Sequence, residues 1–190
     1  MARGSRSTLG TALMGAVGML VLLLIAGAAV VFMGLYPVGA SQRDPAGIAW
    51  LLEESMEHAV KASAKGLEAP RFSQADIREG GSHFKGMCQG CHGGPGVERR
   101  GTAAAMNPPP PDLAKAAGEF TVPEIFWIAK HGIKMSGMPA FGKSDEDDEL
   151  WKVAAFVKQL PKVSEADYAG LPNAHARPEA AHEHAAPHDD

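Results

Sequence analysis

The chain has 190 residues, 45% of them hydrophobic, and its formal net charge is −4 at pH 7. This acidic balance argues against nucleic acid as a partner, because phosphate recognition needs clustered positive charge. The chain has only two cysteines, which excludes an all-cysteine zinc site.

The first predicted element is a membrane span. Residues 11–36 form an almost continuous apolar run without charge, and a bilayer core needs roughly 20 such residues. Arg3 and Arg6 precede it, so residues 1–10 are predicted to be cytoplasmic. A cleaved signal peptide ending at Val38-Gly39-Ala40 is the alternative, but its apolar region would span only about 7–15 residues. We expect a retained anchor in a bacterial cytoplasmic membrane, with the following residues in the periplasm.

A linker over residues 37–70 is predicted to contain an amphipathic helix over residues 48–67. Its apolar positions recur at helical spacing, and its other face is mainly acidic. We expect the apolar stripe to pack on the domain that follows. Docking on a partner subunit or on the membrane surface is the alternative, although the acidic face disfavours an anionic lipid surface.

The next helix is predicted to begin near Gln74 and to run into the first cysteine. Ser73 and Asp76 form a capping signal at its start. Gly80 and Gly81 lie inside it, where each glycine costs ~1 kcal/mol relative to alanine. We therefore expect another helix, the last one, to approach closely at this point.

Cys88-Gln89-Gly90-Cys91-His92 is a C-x-x-C-H motif, the signature of covalent c-type haem attachment. Two thiols at this spacing can each form a thioether to one porphyrin edge, and the next residue brings an imidazole to the iron. A redox dithiol would need a βαβ context, which is not visible. A zinc site would have to add His83 and His92 from the same short segment. A disulfide would close a very tight loop, so haem is the favoured interpretation.

A third helix is predicted over residues 122–131, with a cap at Thr121 and Pro123 in the first turn. We expect Phe126, Trp127 and Ile128 to line the haem pocket, which makes Trp127 a candidate cofactor-binding residue.

The second axial ligand is predicted to be Met138, which lies between Gly137 and Pro139. A thioether is a soft, neutral ligand that favours ferrous iron. Met138 lies 46 positions after His92, which is enough chain to run around a haem. Met135 is a weaker rival, expected to fill the core. His131 is the other rival, expected at a helix C-terminus or near a haem propionate.

The last predicted helix covers residues 147–160 and carries an apolar stripe. The acidic run at residues 144–149 is interpreted as a capping box with negative charge at a helix N-terminus, rather than as a patch for a basic partner.

The remaining residues, 163–190, are predicted to be a disordered tail, because Ala, Pro, Asp and Glu dominate them. The alternative is weak metal binding by its histidines: His175, His182, His184 and His188.

Residues 72–162 together resemble a class I mono-haem cytochrome c. The resemblance is carried by the C-x-x-C-H motif, by Pro108 to Leu113, by Gly137 to Gly142 and by the last helix. It implies an all-α fold, with three or four helices around one covalent haem, in a domain over residues 71–162. It also implies that a proline carbonyl within Pro108–Pro111 accepts a hydrogen bond from His92; the candidates are Pro109, Pro110 and Pro111.

The sequence thus predicts a membrane-anchored periplasmic one-electron carrier of a respiratory chain, and not an enzyme. Haem c would be attached to Cys88 and Cys91 and ligated by His92 and Met138. The expected partners are an oxidase, a quinol-oxidising complex or a dehydrogenase, with no small-molecule substrate. One alternative is a fixed haem subunit of an oxidase or dehydrogenase complex. Another is a haem enzyme or gas sensor with a labile Met138 bond.

Overall fold

The computed structural model describes residues 4–174, with side chains from residue 10 onward. This part of the chain is helical, and its only β-type pairing is an isolated bridge between Gly94 and Val97. It divides into two compact units, one ending at Asp44 and one beginning at Pro45. The helices are α1 (Gly4–Phe32), α2 (Ala46–Ser63), α3 (Gln74–Met87), α4 (Gln89–His92), α5 (Gly101–Ala104), α6 (Leu113–Ala116), α7 (Val122–His131), α8 (Asp147–Gln159) and α9 (Glu165–Ala169). The predicted all-α class is confirmed.

Helix α1 contains a stretch, Gly10–Phe32, that is long and apolar enough to cross a membrane, with a mean hydropathy of 2.6. The helix ends four residues before the predicted limit at residue 36. Gly34 has a φ of 65°, and the Leu35 amide returns to the Val30 carbonyl at 3.0 Å. This is a glycine-based C-terminal cap, which stops the helix although the apolar sequence continues.

Helix α2 starts two residues earlier and ends four residues earlier than the predicted 48–67. Gly66, with a φ of 88°, marks the turn that follows it. Its C-terminal half packs against α7 and buries Val60 and the adjoining Ala64. Its N-terminal half leaves a group of large apolar side chains exposed: Ile48, Trp50, Leu51 and Leu52. The expected packing of the apolar stripe therefore holds only for the second half of the helix.

The crossing of α3 and α8 builds the centre of the second unit. A Cβ atom on Gly80 would lie 2.1 Å from the Lys152 carbonyl oxygen, and one on Gly81 would lie 2.7 Å from the Phe156 ring. The two glycines are therefore what lets the helix backbones touch, as the sequence predicted. Phe84 and Leu150 are fully buried beside this crossing. Burial of apolar surface of this kind is the main favourable term in folding.

The predicted helix starts are confirmed by their caps. Ser73 and Asp76 form a capping box at α3, Thr121 and Glu124 form one at α7, and Glu146 and Glu149 form one at α8. Each box satisfies amide donors that a helix start leaves without partners. The acidic run thus has the local capping role that the sequence favoured.

The predicted tail boundary at residue 163 is wrong. Ser164 caps the short helix α9, in which Tyr168 is fully buried, and Leu171 is only 7% exposed. Both side chains join the core that contains Phe84 and Phe156. Composition hid this segment, because two isolated large apolar residues stand among Ala, Asp, Glu and Gly. The four tail histidines, His175, His182, His184 and His188, lie outside the described residues.

Candidate haem site

The two cysteines and the histidine of the motif form a single tight turn, here called the attachment turn (residues 88–92). It continues directly from α3, with the Cys91 and His92 amides donating to the Cys88 carbonyl at 3.0 and 2.9 Å. Cys88, Cys91 and His92 are all half-buried, and both cysteines are free. This geometry presents two thiols and an imidazole from consecutive helical positions.

Cys88 is a protonated thiol at neutral pH. Burial raises its pKa to about 12, with the nearby Cys91 and Asp145 charges as lesser causes. A reactive redox dithiol instead needs a lowered cysteine pKa. His83, which a zinc site would have to recruit, faces Glu149 of α8, with 3.9 Å between Nε2 and Oε1. Within residues 4–174 no cluster of three or more His, Cys, Asp or Glu side chains could hold a metal ion.

His92 is oriented by a backbone carbonyl. Its Nδ1 lies 3.0 Å from the Pro111 oxygen, and because a carbonyl only accepts, Nδ1 carries the proton and Nε2 keeps a free lone pair. Burial lowers the pKa of His92, the Pro111 bond raises it, and Arg99 lowers it. The ring is therefore neutral at pH 7, the form in which imidazole ligates a metal.

The proline run supplies two carbonyls with different partners. Pro110 accepts a hydrogen bond from Arg99 Nη1 at 2.6 Å, whereas Pro111 faces His92. Of the three candidate acceptors for the His92 hydrogen bond, Pro109, Pro110 and Pro111, the structure places Pro111 at the imidazole. The sequence could not make this choice, because it depends on how the chain turns after Asn107. Arg99 was not singled out from the sequence, although it fixes the loop that carries the Pro111 carbonyl.

Met138 lies in a loop over residues 132–140, here called the methionine loop. Met138 is half-buried, whereas Met135 is 79% exposed, so Met135 does not fill the core as expected. The Met138 amide donates to Ser136 Oγ at 3.2 Å, and its carbonyl accepts from Ile133 N at 3.4 Å. A Cβ on Gly137 would lie 2.6 Å from the Met106 sulfur. Met106 thus packs against this loop, a contact that the sequence did not reveal.

A cleft lies beside residues that neighbour the methionine loop and the attachment turn in sequence. This open cleft of about 370 Å³ is lined by Met87, which directly precedes Cys88, and by Phe141, Ser144 and Asp145, which follow the methionine loop. Two thiols, a neutral imidazole with a free Nε2 and a half-buried thioether are the donor set that a covalently bound, six-coordinate haem requires. The residues present therefore fit haem c.

Helix α7 carries the residues that were predicted to line the haem pocket and the rival ligand His131. Trp127 is half-buried, and its ring centroid lies 4.8 Å from that of the exposed His131. Phe126 is buried and stacks on Trp151 at 3.8 Å. Phe126 is thus part of the helix core, and contact of Trp127 with haem stays a prediction.

The helical fold and this donor set are typical of a c-type cytochrome domain. Residues 75–157 match the family model described as cytochrome c oxidase, cbb3-type, subunit III. The match falls within the predicted 72–162 and confirms the resemblance to a mono-haem c-type cytochrome. Residues 75–157 are therefore similar to a cytochrome c domain, and such a domain implies a haem-based electron carrier. No curated protein and no solved structure matches the chain.

Proposed function

We propose that this protein is a membrane-anchored periplasmic electron carrier with one covalent haem c. The observation that carries the proposal is the attachment turn, in which the His92 ring is held by Pro111 with Nε2 free. Haem would be bound through Cys88 and Cys91, with His92 and Met138 as axial ligands. When bound, haem supplies an iron that cycles between the ferric and ferrous states, one electron at a time.

The residues around this turn have a positioning role. The Pro111 carbonyl orients the imidazole and makes its Nε2 a better donor, as is usual for a metal-bound histidine. The two cysteines are three residues apart on one helical segment, so both sulfurs can reach the same edge of a porphyrin. Because the chain has only two cysteines, it can hold one haem by two thioethers.

Met138 completes the proposed ligand set. Met138 is half-buried and its backbone amide and carbonyl are hydrogen-bonded, whereas Met135 is exposed. These observations support Met138 over Met135 as the second axial ligand. With both residues as ligands, His92 and Met138, a bound iron would have no open position for a substrate, and the neutral thioether of Met138 would stabilise the ferrous state. This arrangement suits electron transfer, and we infer that the protein binds no small-molecule substrate and is not an enzyme by itself.

The membrane placement rests on α1. Its stretch Gly10–Phe32 is long and apolar enough to span a bilayer, and Arg3 and Arg6 precede it. By the positive-inside rule the N-terminus would be cytoplasmic and the haem domain periplasmic. The carrier would then exchange electrons with an oxidase, a quinol-oxidising complex or a dehydrogenase of a respiratory chain through a small, weak interface.

A second function, as a fixed haem subunit of an oxidase complex, is favoured by two observations. The matching family model is that of an oxidase subunit. Helix α2 also exposes a group of large apolar side chains at its N-terminal half, with Trp50 61% exposed and Leu51 60% exposed. Patches of this kind mark protein or membrane contacts. In this case the redox chemistry is the same, but the protein does not diffuse between partners.

Covalent haem attachment is the first test. The full chain is produced in a host that matures c-type cytochromes, and its intact mass and reduced visible spectrum are measured after denaturation in acid. We expect haem to stay on the protein and to be lost in the Cys88→Ala, Cys91→Ala double variant. Haem that dissociates from the wild-type chain would contradict the proposal.

The carrier and the fixed subunit differ in their state within the membrane. Mild detergent extraction followed by size-exclusion chromatography should give a small haem species for a free carrier. Co-elution with an oxidase, disrupted by Trp50→Glu but not by Glu53→Gln on the same helix, would support the fixed subunit.

A further inference from the structure

Helix α9 lies beyond the matched segment 75–157, yet it packs directly on the attachment turn. The Tyr168 hydroxyl donates to Gln89 Oε1 at 2.7 Å, and Gln89 stands between the two cysteines. The Tyr168 side chain is fully buried, with its ring against Phe84 and Phe156 at centroid distances of 6.3 Å. A buried tyrosine hydroxyl needs a partner, and here the partner belongs to the haem-binding motif.

The loop that follows His92 also fits against α9. A Cβ on Gly94 would lie 2.7 Å from the Tyr168 ring, and one on Gly96 would lie 3.1 Å from Glu165. The Gly94–Val97 pairing closes this loop at 2.9 and 2.8 Å. Only glycine at residue 94 permits the ring to lie this close, so the loop and α9 are shaped to each other.

Lys85 holds α9 in place from the other side. Its Nζ donates to three carbonyls at the end of α9, those of Tyr168, Ala169 and Leu171, at 3.3, 3.0 and 2.7 Å. The Tyr168 carbonyl also accepts from the Leu171 amide at 3.1 Å, and a cation at a helix C-terminus is favourable. Because Lys85 is in the last turn of α3, three residues before Cys88, the same helix end carries both the cysteine and the anchor of α9.

Cys88 packs against the same core cluster as Tyr168. We propose that Tyr168 is a positioning residue of the haem site, which holds the attachment turn closed through Gln89 and keeps water from the Cys88 sulfur. This inference rests on the proposed function, since it concerns the environment of a haem bound at Cys88. Water that reaches the bound haem stabilises the ferric state, which carries more positive charge, and so lowers the reduction potential. Release of the turn therefore lowers the potential.

The test uses full-length haem-loaded protein with three variants. Tyr168→Phe keeps the ring and removes the hydroxyl, Gln89→Leu removes the acceptor, and the double variant removes both. We expect each to favour the oxidised state about threefold at the wild-type midpoint, and the double variant to do so by no more than either single change, because the two groups act as one unit. Hydrogen exchange of the peptide over residues 89–97 should also become several-fold faster.

Tyr36→Phe is the matched control, because Tyr36 is the only other tyrosine in the chain and its hydroxyl also donates a hydrogen bond, to Asp44 at 2.6 Å. It should change neither the potential nor the exchange of residues 89–97. An unchanged potential in Tyr168→Phe with normal haem content, or fully additive shifts in the double variant, would overturn the proposal.

Failure of the Tyr168→Phe variant to mature and failure of the proposed function can be told apart. If Tyr168→Phe does not mature, Gln89→Leu decides, because it leaves the core untouched: a lowered potential supports the proposal and an unchanged one overturns it. If the wild-type chain itself carries no covalent haem, the proposed function fails. The exchange of residues 89–97 in the haem-free Tyr168→Phe variant, against Tyr36→Phe, then still decides whether Tyr168 holds the turn closed.

Discussion

The attachment turn and the methionine loop would supply the two axial ligands, but they are built differently. The attachment turn continues a capped helix, and its hydrogen bonds, including those of His92 to Pro111 and of Tyr168 to Gln89, measure 2.7–3.0 Å. The hydrogen bonds of the Met138 backbone measure 3.2 and 3.4 Å. Next to it, Met135 has a φ of 61°, a conformation that is strained for a residue with a side chain. Residues distant in sequence contact both sides, Pro111 and Tyr168 on the histidine side and Met106 on the methionine side, but the backbone hydrogen bonds of Met138 are the longer ones.

This difference indicates which side of the proposed site is held more firmly. In the proposed site, the more tightly bonded histidine side would fix where haem is attached, whereas the methionine loop could adjust to the metal. Local segments with few buried contacts open more readily than core helices. The account therefore expects changes at the α3–α8 crossing to affect the whole domain, and changes in the methionine loop to affect mainly the distal ligand.

The largest effect on stability is expected at the helix crossing. In Gly80→Ala the new Cβ would lie 2.1 Å from the Lys152 carbonyl, so the helices must move apart, at a cost of about 3 kcal/mol for overpacking of this kind. Thermal or urea unfolding measures it. Gly47→Ala in α2 is the control, since nothing lies within 4 Å of its Cβ. Equal stability of the two variants would contradict the assigned role of Gly80.

A smaller effect is expected from Gly132→Ala at the start of the methionine loop. Gly132 has a φ of 64°, and a Cβ there would lie 2.7 Å from the Met138 and Pro139 carbonyl oxygens. The strain should cost about 2 kcal/mol and displace Met138. We expect weakened methionine ligation in the absorption spectrum, with covalent haem intact. Loss of covalent haem instead would mean that a change in the methionine loop also disrupts the attachment turn, which would contradict the account.

The smallest effect is expected from Ser136→Ala. The Ser136 hydroxyl donates to the Ile133 carbonyl at 2.8 Å and accepts from the Met138 amide at 3.2 Å. Removal of these two bonds should cost about 1 kcal/mol and increase carbon monoxide binding to the ferrous protein. Ser73→Ala is the control, because its hydroxyl bonds to Asp76 at the start of α3, outside the methionine loop. An identical carbon monoxide response in both variants would count against a local role of Ser136.

Much of this architecture could be predicted from sequence, because it follows from local rules. The starts of α3, α7 and α8 follow from capping residues, and the α3–α8 crossing follows from Gly80 and Gly81. Three features could not be predicted, since each depends on residues distant in sequence. They are the choice of Pro111, the anchoring of α9 by Lys85, and the burial of Tyr168, which composition had placed in a disordered tail.

The most direct test of the account is the absorption spectrum of the ferric protein with Met138 or Met135 replaced by alanine. A weak far-red band reports methionine sulfur on ferric haem. We predict that the wild-type chain and Met135→Ala show this band, and that Met138→Ala loses it while it keeps covalent haem. A band that survives in Met138→Ala, or a wild-type spectrum that is high-spin and shifts with carbon monoxide, would contradict a His92/Met138 electron carrier and favour a haem enzyme or gas sensor.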